Sequence, residues 1–221
     1  SIVLINSFNG GEEEFMRMFF SGLMESLKEN KITFLWVLLF FLVGIVLGSY
    51  TVYYMSDFNR VEITTYFNNF LEFLGGNSVS YTSILIDSIK SILPMVAIIV
   101  LLGYTAVGTP IILMMDLAKG YVIGFTFSLI VSMLGSKGIM LVLSGLMLQN
   151  LIFIPIIMLI SVLAIRHSVT KLKMGVSRDR VKLDVSRAYL NFQGLLSLII
   201  ISGILIETYI SPNLIRLVIS R

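Results

Sequence analysis

Gln149 and Asn150 stand side by side in the apolar stretch GLMLQNLIFIPII, which runs from 145 to 157. Amide side chains are costly to bury without hydrogen-bond partners. In lipid they can bond across helices, or to backbone groups that a break in a helix sets free. We interpret this pair as a staple for a re-entrant turn. The lining of a polar pocket and a contact with a partner's membrane helix are the alternatives.

Asp116, Lys119 and Glu207 are the other candidates for chemistry, because they carry charge within or beside apolar runs. Asp116 and Lys119 are three residues apart and share a helix face, so their charges can neutralise each other near the interface. Without such pairing, an ionisable residue inside a membrane segment indicates a functional site. Glu207 lies near the outer end of the last apolar run, where Lys137, Arg60 or water could meet it.

The sequence shows no motif for hydrolysis or metal binding. It has no cysteine, which excludes thiol nucleophiles, disulfides and thiolate metal sites. The one histidine, His167, follows Arg166 in a basic segment and is interpreted as solvated. Neither a P-loop nor an HExxH motif is present. We therefore expect no catalytic residue, no metal and no other cofactor, and a net charge of +3 gives no reason to expect nucleic acid as a partner.

The elements that position these residues must be membrane helices. Of the 221 residues 57% are hydrophobic and 13% are charged, and the mean hydropathy is +0.94. Soluble domains are roughly half apolar and about a quarter charged. The chain also contains uncharged runs that approach the ~20 residues a helix needs to cross a bilayer. These features predict an all-α polytopic membrane protein.

The uncharged runs predict about five transmembrane helices in one domain over residues 32–215. We expect the spans at about 34–55, 91–107, 120–134, 150–165 and 192–210. A break at 108–110 should precede a short helix at 111–119, and residues 139–148 should form a half-crossing. Residues 1–31 form an interfacial lead-in, with a partner-binding helix as the alternative, and residues 216–221 form a tail.

Residues 56–90 predict an amphipathic helical hairpin between the first two spans. Apolar residues, among them Tyr66, Phe67 and Phe70, recur at steps of three and four, and GGNS at 75–78 breaks the pattern. Such a stripe can lie on the membrane. It is a candidate surface for a partner, and packing on the protein's own spans is the alternative.

Two glycine pairs have the GxxxG spacing that lets membrane helices approach closely: Gly44 with Gly48, and Gly120 with Gly124. We expect these glycines to bring the protein's own helices together. Assembly into a homo-oligomer or with a partner helix is the alternative.

The distribution of Lys and Arg predicts the orientation. With five spans, 11 of these cations lie on the side of the N-terminus and five on the other side. The N-terminus and the basic loop 166–191 are therefore expected to be cytoplasmic. The hairpin and the C-terminus are expected to be extracytoplasmic. The basic loop should also attract anionic membrane lipids.

Several motifs of the sequence resemble those of the stage II sporulation protein M family of endospore-forming bacteria. They are GTPIIL (108–113), KGYVIGFT (119–126), LGSKG (134–138), QNLIFIP (149–155) and ETYISP (207–212). The resemblance covers about residues 30–215, and Leu148 stands where the family often has proline.

The resemblance implies a function in engulfment, when the mother-cell membrane migrates around the forespore. The family is viewed as a non-catalytic scaffold that places two peptidoglycan-remodelling enzymes, stage II sporulation proteins D and P, at the septum. A transporter or permease with a polar site around Gln149 and Asn150 is the alternative. A scaffold should have a closed core with grooves on its outside, whereas a transporter should have a polar cavity that reaches the two amides.

Overall fold

The computed structural model describes residues 30–76, 81–105, 107–143, 148–174 and 179–219, and it contains no strand among them. The helices are α1 (Lys31–Tyr53), α2 (Asp57–Gly76), α3 (Tyr81–Leu102), α4 (Gly108–Leu134), α5 (Ser136–Leu141), α6 (Leu148–Met174) and α7 (Asp179–Ile219).

Five of these helices are long and apolar enough to cross a bilayer. They are α1, α3, α4, the Phe153–Leu172 part of α6 and the Tyr189–Tyr209 part of α7. At 1.5 Å per residue, the 23 residues of α1 extend about 34 Å, and a bilayer's hydrocarbon core is about 30 Å thick. The predicted all-α, multi-pass membrane fold is confirmed.

The boundaries of two spans differ from those that the sequence predicts. Helix α3 begins at Tyr81, so the expected second arm of the hairpin is the first part of a span. Helix α4 is continuous from Gly108, with no break before residue 120. Pro110 lies in the first turn of α4, where its missing N–H is not needed, so it does not break the helix. Residues 81–90 contain Asp87 and Lys90, so they lie outside the uncharged run that predicts the span, yet they continue into it as one helix.

A tight turn reverses the chain after α4. Gly135 has a φ of 54°, a left-handed conformation that glycine adopts without steric cost. Helix α5 then folds back along α4, and its Leu141 and the following Val142 pack on Ile130. The end of the predicted half-crossing lies outside the described residues, at 144–147.

Helix α6 lies at the centre of the bundle, where it contacts α1, α3, α4 and α7. Of the residues in its membrane window 61% are buried, against 17–35% in the other four spans. Phe153, Ile160 and Val162 of α6 form the main core together with residues of α1, α3, α4 and α7. The other spans therefore pack around α6 and turn their remaining faces to the lipid.

The contacts fix which helix ends lie together. Helices α1 and α4 run parallel, because successive residues of α1 meet successive residues of α4. The C-terminal end of α3 meets α7 near Tyr189, whereas Tyr81, where α3 begins, stacks on Tyr209 at 5.5 Å. We call the two ends of the bundle the Lys31 end and the Tyr53 end, after the first and last residues of α1.

Candidate functional site

The two predicted glycine pairs meet each other where α1 crosses α4. A Cβ built on any of the four glycines would lie 2.1–2.2 Å from a backbone carbonyl oxygen of the opposite helix. Side chains flank the crossing: Ser49 Oγ lies 3.4 Å from the Gly124 carbonyl oxygen, and the Tyr121 hydroxyl lies 3.2 Å from that of Thr51. The glycines therefore serve a contact within one chain, in which the two backbones touch directly.

Asp116 lies in the interior of the bundle and is 1% exposed. Its Oδ1 accepts a hydrogen bond from Ser161 Oγ of α6 at 2.8 Å, and Oδ2 has no hydrogen-bond partner among the described residues. A carboxyl group inside a membrane is costly and is a candidate functional group by default. Here it joins α4 to the central helix.

Lys119 interacts electrostatically with Glu207 of α7. The sequence instead suggested that Asp116 neutralises Lys119, and that Lys137, Arg60 or water meets Glu207. The continuity of α4 explains the difference. It places Lys119 eleven residues, about 16 Å, into the span, where its long side chain can reach toward the carboxylate of α7.

Gln149 and Asn150 lie in the first turn of α6. The side chain of Gln149 is outside the described part of the structure, and that of Asn150 is half-buried. The first turn of a helix has backbone N–H groups without intrahelical partners, which amide side chains can satisfy. The proposed staple is compatible with this position and stays a prediction.

Helix α2 forms the first arm of the predicted hairpin, and it contacts α7. Tyr66, Phe67 and Phe70 belong to this helix, but their side chains lie outside the described residues. Near its start, Phe58 is 78% exposed and Val61 is 65% exposed. The use of this helix as a docking surface stays a prediction.

An aromatic cluster at the Lys31 end was not predicted. His167 is 4% exposed, and its ring lies 4.8 Å from that of Tyr104 and 4.2 Å from that of Tyr189. The interpretation of His167 as solvated was therefore wrong. It fails because α6 continues through the residues that the sequence assigned to a basic loop. Neither ring nitrogen of His167 has a hydrogen-bond partner among the described residues.

Hydrogen bonds join this cluster to the end of α3 and to the connection that follows it. Ser168 Oγ donates to the Thr105 carbonyl at 2.6 Å, and the Tyr189 hydroxyl donates to the Val100 carbonyl at 2.9 Å. Lys171 Nζ lies 4.5 Å from the centre of the Tyr104 ring. A tyrosine hydroxyl is protonated at neutral pH, and burial raises its pKa further at Tyr104, so Lys171 makes a cation–π contact with a neutral ring. The cluster holds three helices at this end.

A groove of about 500 Å³ opens on the outside of the bundle between α3 and α7. It is lined by Leu93, Val96, Ala97, Val100, Leu101, Leu190, Gln193, Gly194 and Ser197. No sequence pattern indicates this groove, because its residues come from two helices that are far apart along the chain. The described residues thus form an apolar core with a lateral groove.

A family model described as stage II sporulation protein M matches residues 37–212. The chain belongs to this family. The match spans most of the chain and includes all five candidate membrane helices, the first of them from its seventh residue onward. A search of curated proteins and a search of solved structures each returned no match. The family and the fold together identify a sporulation-related, multi-pass membrane protein.

Four of the motifs that resemble the stage II sporulation protein M family lie at helix starts, at a helix crossing or in a turn. GTPIIL begins α4, KGYVIGFT contains both of the α4 glycines that touch α1, and LGSKG forms the turn into α5. QNLIFIP forms the first turns of the central helix. KGYVIGFT thus serves helix packing and LGSKG chain reversal, while GTPIIL and QNLIFIP begin membrane helices.

Proposed function

We propose that this chain is a non-catalytic membrane scaffold, which recruits peptidoglycan-remodelling enzymes to the sporulation septum during engulfment of the forespore. The observation that carries the proposal is the family match over residues 37–212. By resemblance, the partners are stage II sporulation protein D, a lytic transglycosylase, and stage II sporulation protein P, an amidase and endopeptidase. Their catalytic domains lie outside the cytoplasmic membrane.

The packing of the bundle supports a scaffold. Its core is apolar, and some of its buried polar side chains bond to the protein's own backbone, as Gln193 Nε2 does to the Ile160 carbonyl at 3.0 Å and Thr208 Oγ1 to the Ile204 carbonyl at 2.8 Å. Such bonds satisfy polar groups in hydrocarbon and fix the positions of the helices. A body of this kind can present a constant surface to partners whose chemistry takes place elsewhere.

The proposed orientation places the N-terminus in the cytoplasm of the mother cell. The Tyr53 end then faces the cell wall together with the start of α2. Exposed aromatic residues gather there: Tyr53 is 76% exposed, Tyr54 65% and Phe58 78%. We propose this end, with the lipid-facing side of α1, as the surface that docks the enzymes.

A transporter stays as the second candidate because of Asp116, a carboxyl group buried in a membrane helix. We favour the scaffold over the predicted alternative, a transporter whose polar site is lined by Gln149 and Asn150. Both residues lie in the first turn of α6, and the described groove lies on the lateral surface between α3 and α7. Uptake of a solute by proteoliposomes that hold only this protein would support the second candidate.

Site-specific photocrosslinking in sporulating cells tests the scaffold. We would place the crosslinker at Phe58, at Val61 and at Trp36 on the exposed side of α1, with Leu151 of α6 as a control of similar exposure. We expect crosslinks to the amidase or the transglycosylase from α1 or α2, and few from Leu151. In cells that lack this protein, a fluorescent fusion of the amidase should no longer concentrate at the septum. Unchanged localisation without any crosslink would refute the proposal.

A further inference from the structure

The groove between α3 and α7 is open because none of the residues that the structure describes fills it. Its floor includes Gly194, which is exposed, and a Cβ built there would meet no atom within 4 Å. The glycines of the α1–α4 crossing are different, because an opposing backbone touches each of them. Ala97 on α3 is small and exposed as well. The small residues thus leave room for a ligand at this position.

The size of the groove fits one acyl chain. Its volume of about 500 Å³ lies within the range of small-molecule sites, about 300–1,000 Å³. Its α3 wall runs from Leu93 to Leu101, a length of about 12 Å. The acyl chains of one leaflet occupy half of the ~30 Å hydrocarbon core, about 15 Å, so the groove length is close to that of one extended acyl chain. The groove is thus long enough for an acyl chain within one leaflet, whereas a membrane-crossing partner helix is about twice as long.

Helical spacing places a cation, Arg187, one turn before the groove residue Leu190 on α7. Arg187 is exposed, and it lies on the same face of α7 as Leu190, Gly194 and Ser197, which follow at steps of three and four residues. It lies two residues before Tyr189, the first residue of the membrane window of α7, so we place it near the bilayer surface at the Lys31 end. Guanidinium groups bind phosphate with two parallel hydrogen bonds, and basic pockets between membrane helices bind anionic headgroups.

Gln193 gives the groove a polar point in its wall. Its side chain is 2% exposed, and its Nε2 donates to the Ile160 carbonyl. Its Oε1 has no hydrogen-bond partner in the part of the chain that the structure describes. Gln193 lies six residues, about 9 Å, further into the span than Arg187, so it belongs to the groove wall beside the acyl chain and not to the headgroup site.

We propose that the α3–α7 groove binds one anionic phospholipid of the phosphatidylglycerol class, with an acyl chain in the groove and the phosphate at Arg187. The apolar walls accept the chain, and Arg187 complements the charge of the phosphate. The lipid would join α3 to α7 from outside, where the protein's own side chains leave the gap. This site goes beyond the scaffold function and does not depend on it.

Native mass spectrometry of the full chain in a nonionic detergent tests the site, with phosphatidylglycerol and phosphatidylcholine as probes. We expect one phosphatidylglycerol to bind more tightly than phosphatidylcholine. Gly194→Phe fills the groove and should weaken binding at least tenfold. Arg187→Gln removes one cation and should weaken it about fivefold, which corresponds to about 1 kcal/mol.

Two control variants distinguish loss of the lipid site from the general effects of added bulk and of a lost positive charge. Leu198→Phe enlarges a 62% exposed residue of the same helix outside the groove, and Lys31→Gln removes an exposed cation at the start of α1. Neither should change lipid binding. If Gly194→Phe does not fold, the site is tested by comparing Arg187→Gln with Lys31→Gln, and only Arg187→Gln should weaken lipid binding.

Three results would overturn the proposal. The first is equal binding of phosphatidylglycerol and phosphatidylcholine. The second is equal lipid binding by the parent and by folded Gly194→Phe. If Gly194→Phe does not fold, equal lipid binding by Arg187→Gln and Lys31→Gln takes its place. The third is loss of a co-purified partner protein from Gly194→Phe with lipid binding unchanged, which would assign the groove to a helix.

Discussion

Replacing Gly44 by alanine should separate α1 from α4. The added Cβ would lie 2.1 Å from the Leu117 carbonyl oxygen, whereas ordinary contacts begin at 3.4 Å, so the crossing would have to open by about 1.3 Å. A gap of ~0.5–1 Å already removes a quarter to a half of the dispersion energy of a contact. The opening therefore affects much of the α1–α4 seam, and we expect a loss of at least the ~1–3 kcal/mol that is typical of overpacked cores.

Thermal unfolding in detergent measures this loss. For a chain of 150–250 residues, 1 kcal/mol corresponds to about 2–4 °C in Tm, so the decrease should be several degrees. Trp36 is the only tryptophan and lies on α1, so its fluorescence reports on this helix. Gly120→Ala should behave alike, because its Cβ would lie 2.1 Å from the Phe41 carbonyl oxygen.

Gly194→Ala is the matched control for these variants. It makes the same change in a membrane helix, but the new Cβ meets nothing within 4 Å. Alanine also favours the helix over glycine by about 1 kcal/mol, so the variant should be as stable as the parent or more stable. Equal Tm values for Gly44→Ala and the parent, or an equal loss in Gly194→Ala, would refute the direct backbone contact.

Three further changes have expected outcomes. Ser161→Ala removes the donor to the buried Asp116 and should lower the free energy of unfolding by about 1–3 kcal/mol. Asp116→Asn retains the acceptor and should lower it by less. Equal Tm values for the two variants would contradict this role of Ser161. Tyr189→Phe removes the bond to the Val100 carbonyl and should cost about 0.5–1.5 kcal/mol, while Tyr53→Phe, at a 76% exposed position, should change Tm little. The chain has no cysteine, so Phe58→Cys and Leu172→Cys each introduce a single thiol. In intact cells a membrane-impermeant maleimide should modify only Phe58→Cys. Labelling of both variants would refute the predicted orientation, in which the N-terminus is cytoplasmic.

Several features of the fold could be predicted because each is local in the sequence. An uncharged run near 20 residues long dictates a membrane helix wherever the rest of the chain lies, so the class and the number of spans followed from composition and length. The family motifs could also be recognised directly, as short strings in the right order. Helix boundaries were less accurate, because membrane helices tolerate the prolines and polar residues that end helices in water.

The partners of the polar residues could not be predicted from local spacing. Asp116 and Lys119 are neighbours along α4, yet Asp116 bonds to α6 and Lys119 interacts with α7. His167 lies in a basic stretch, yet two tyrosines from other elements enclose it. Each outcome depends on how the helices rotate and cross, and this is a property of the whole bundle.

The sequence alone determined that this protein is a helical membrane protein of the stage II sporulation protein M family, because apolar run length and short motifs are properties of contiguous residues. Only the tertiary structure decided that the two glycine pairs meet each other, that α6 is central and that an open groove remains between α3 and α7. These features arise where helices distant in the chain come together, and the shape of such a junction depends on side chains from both sides at once.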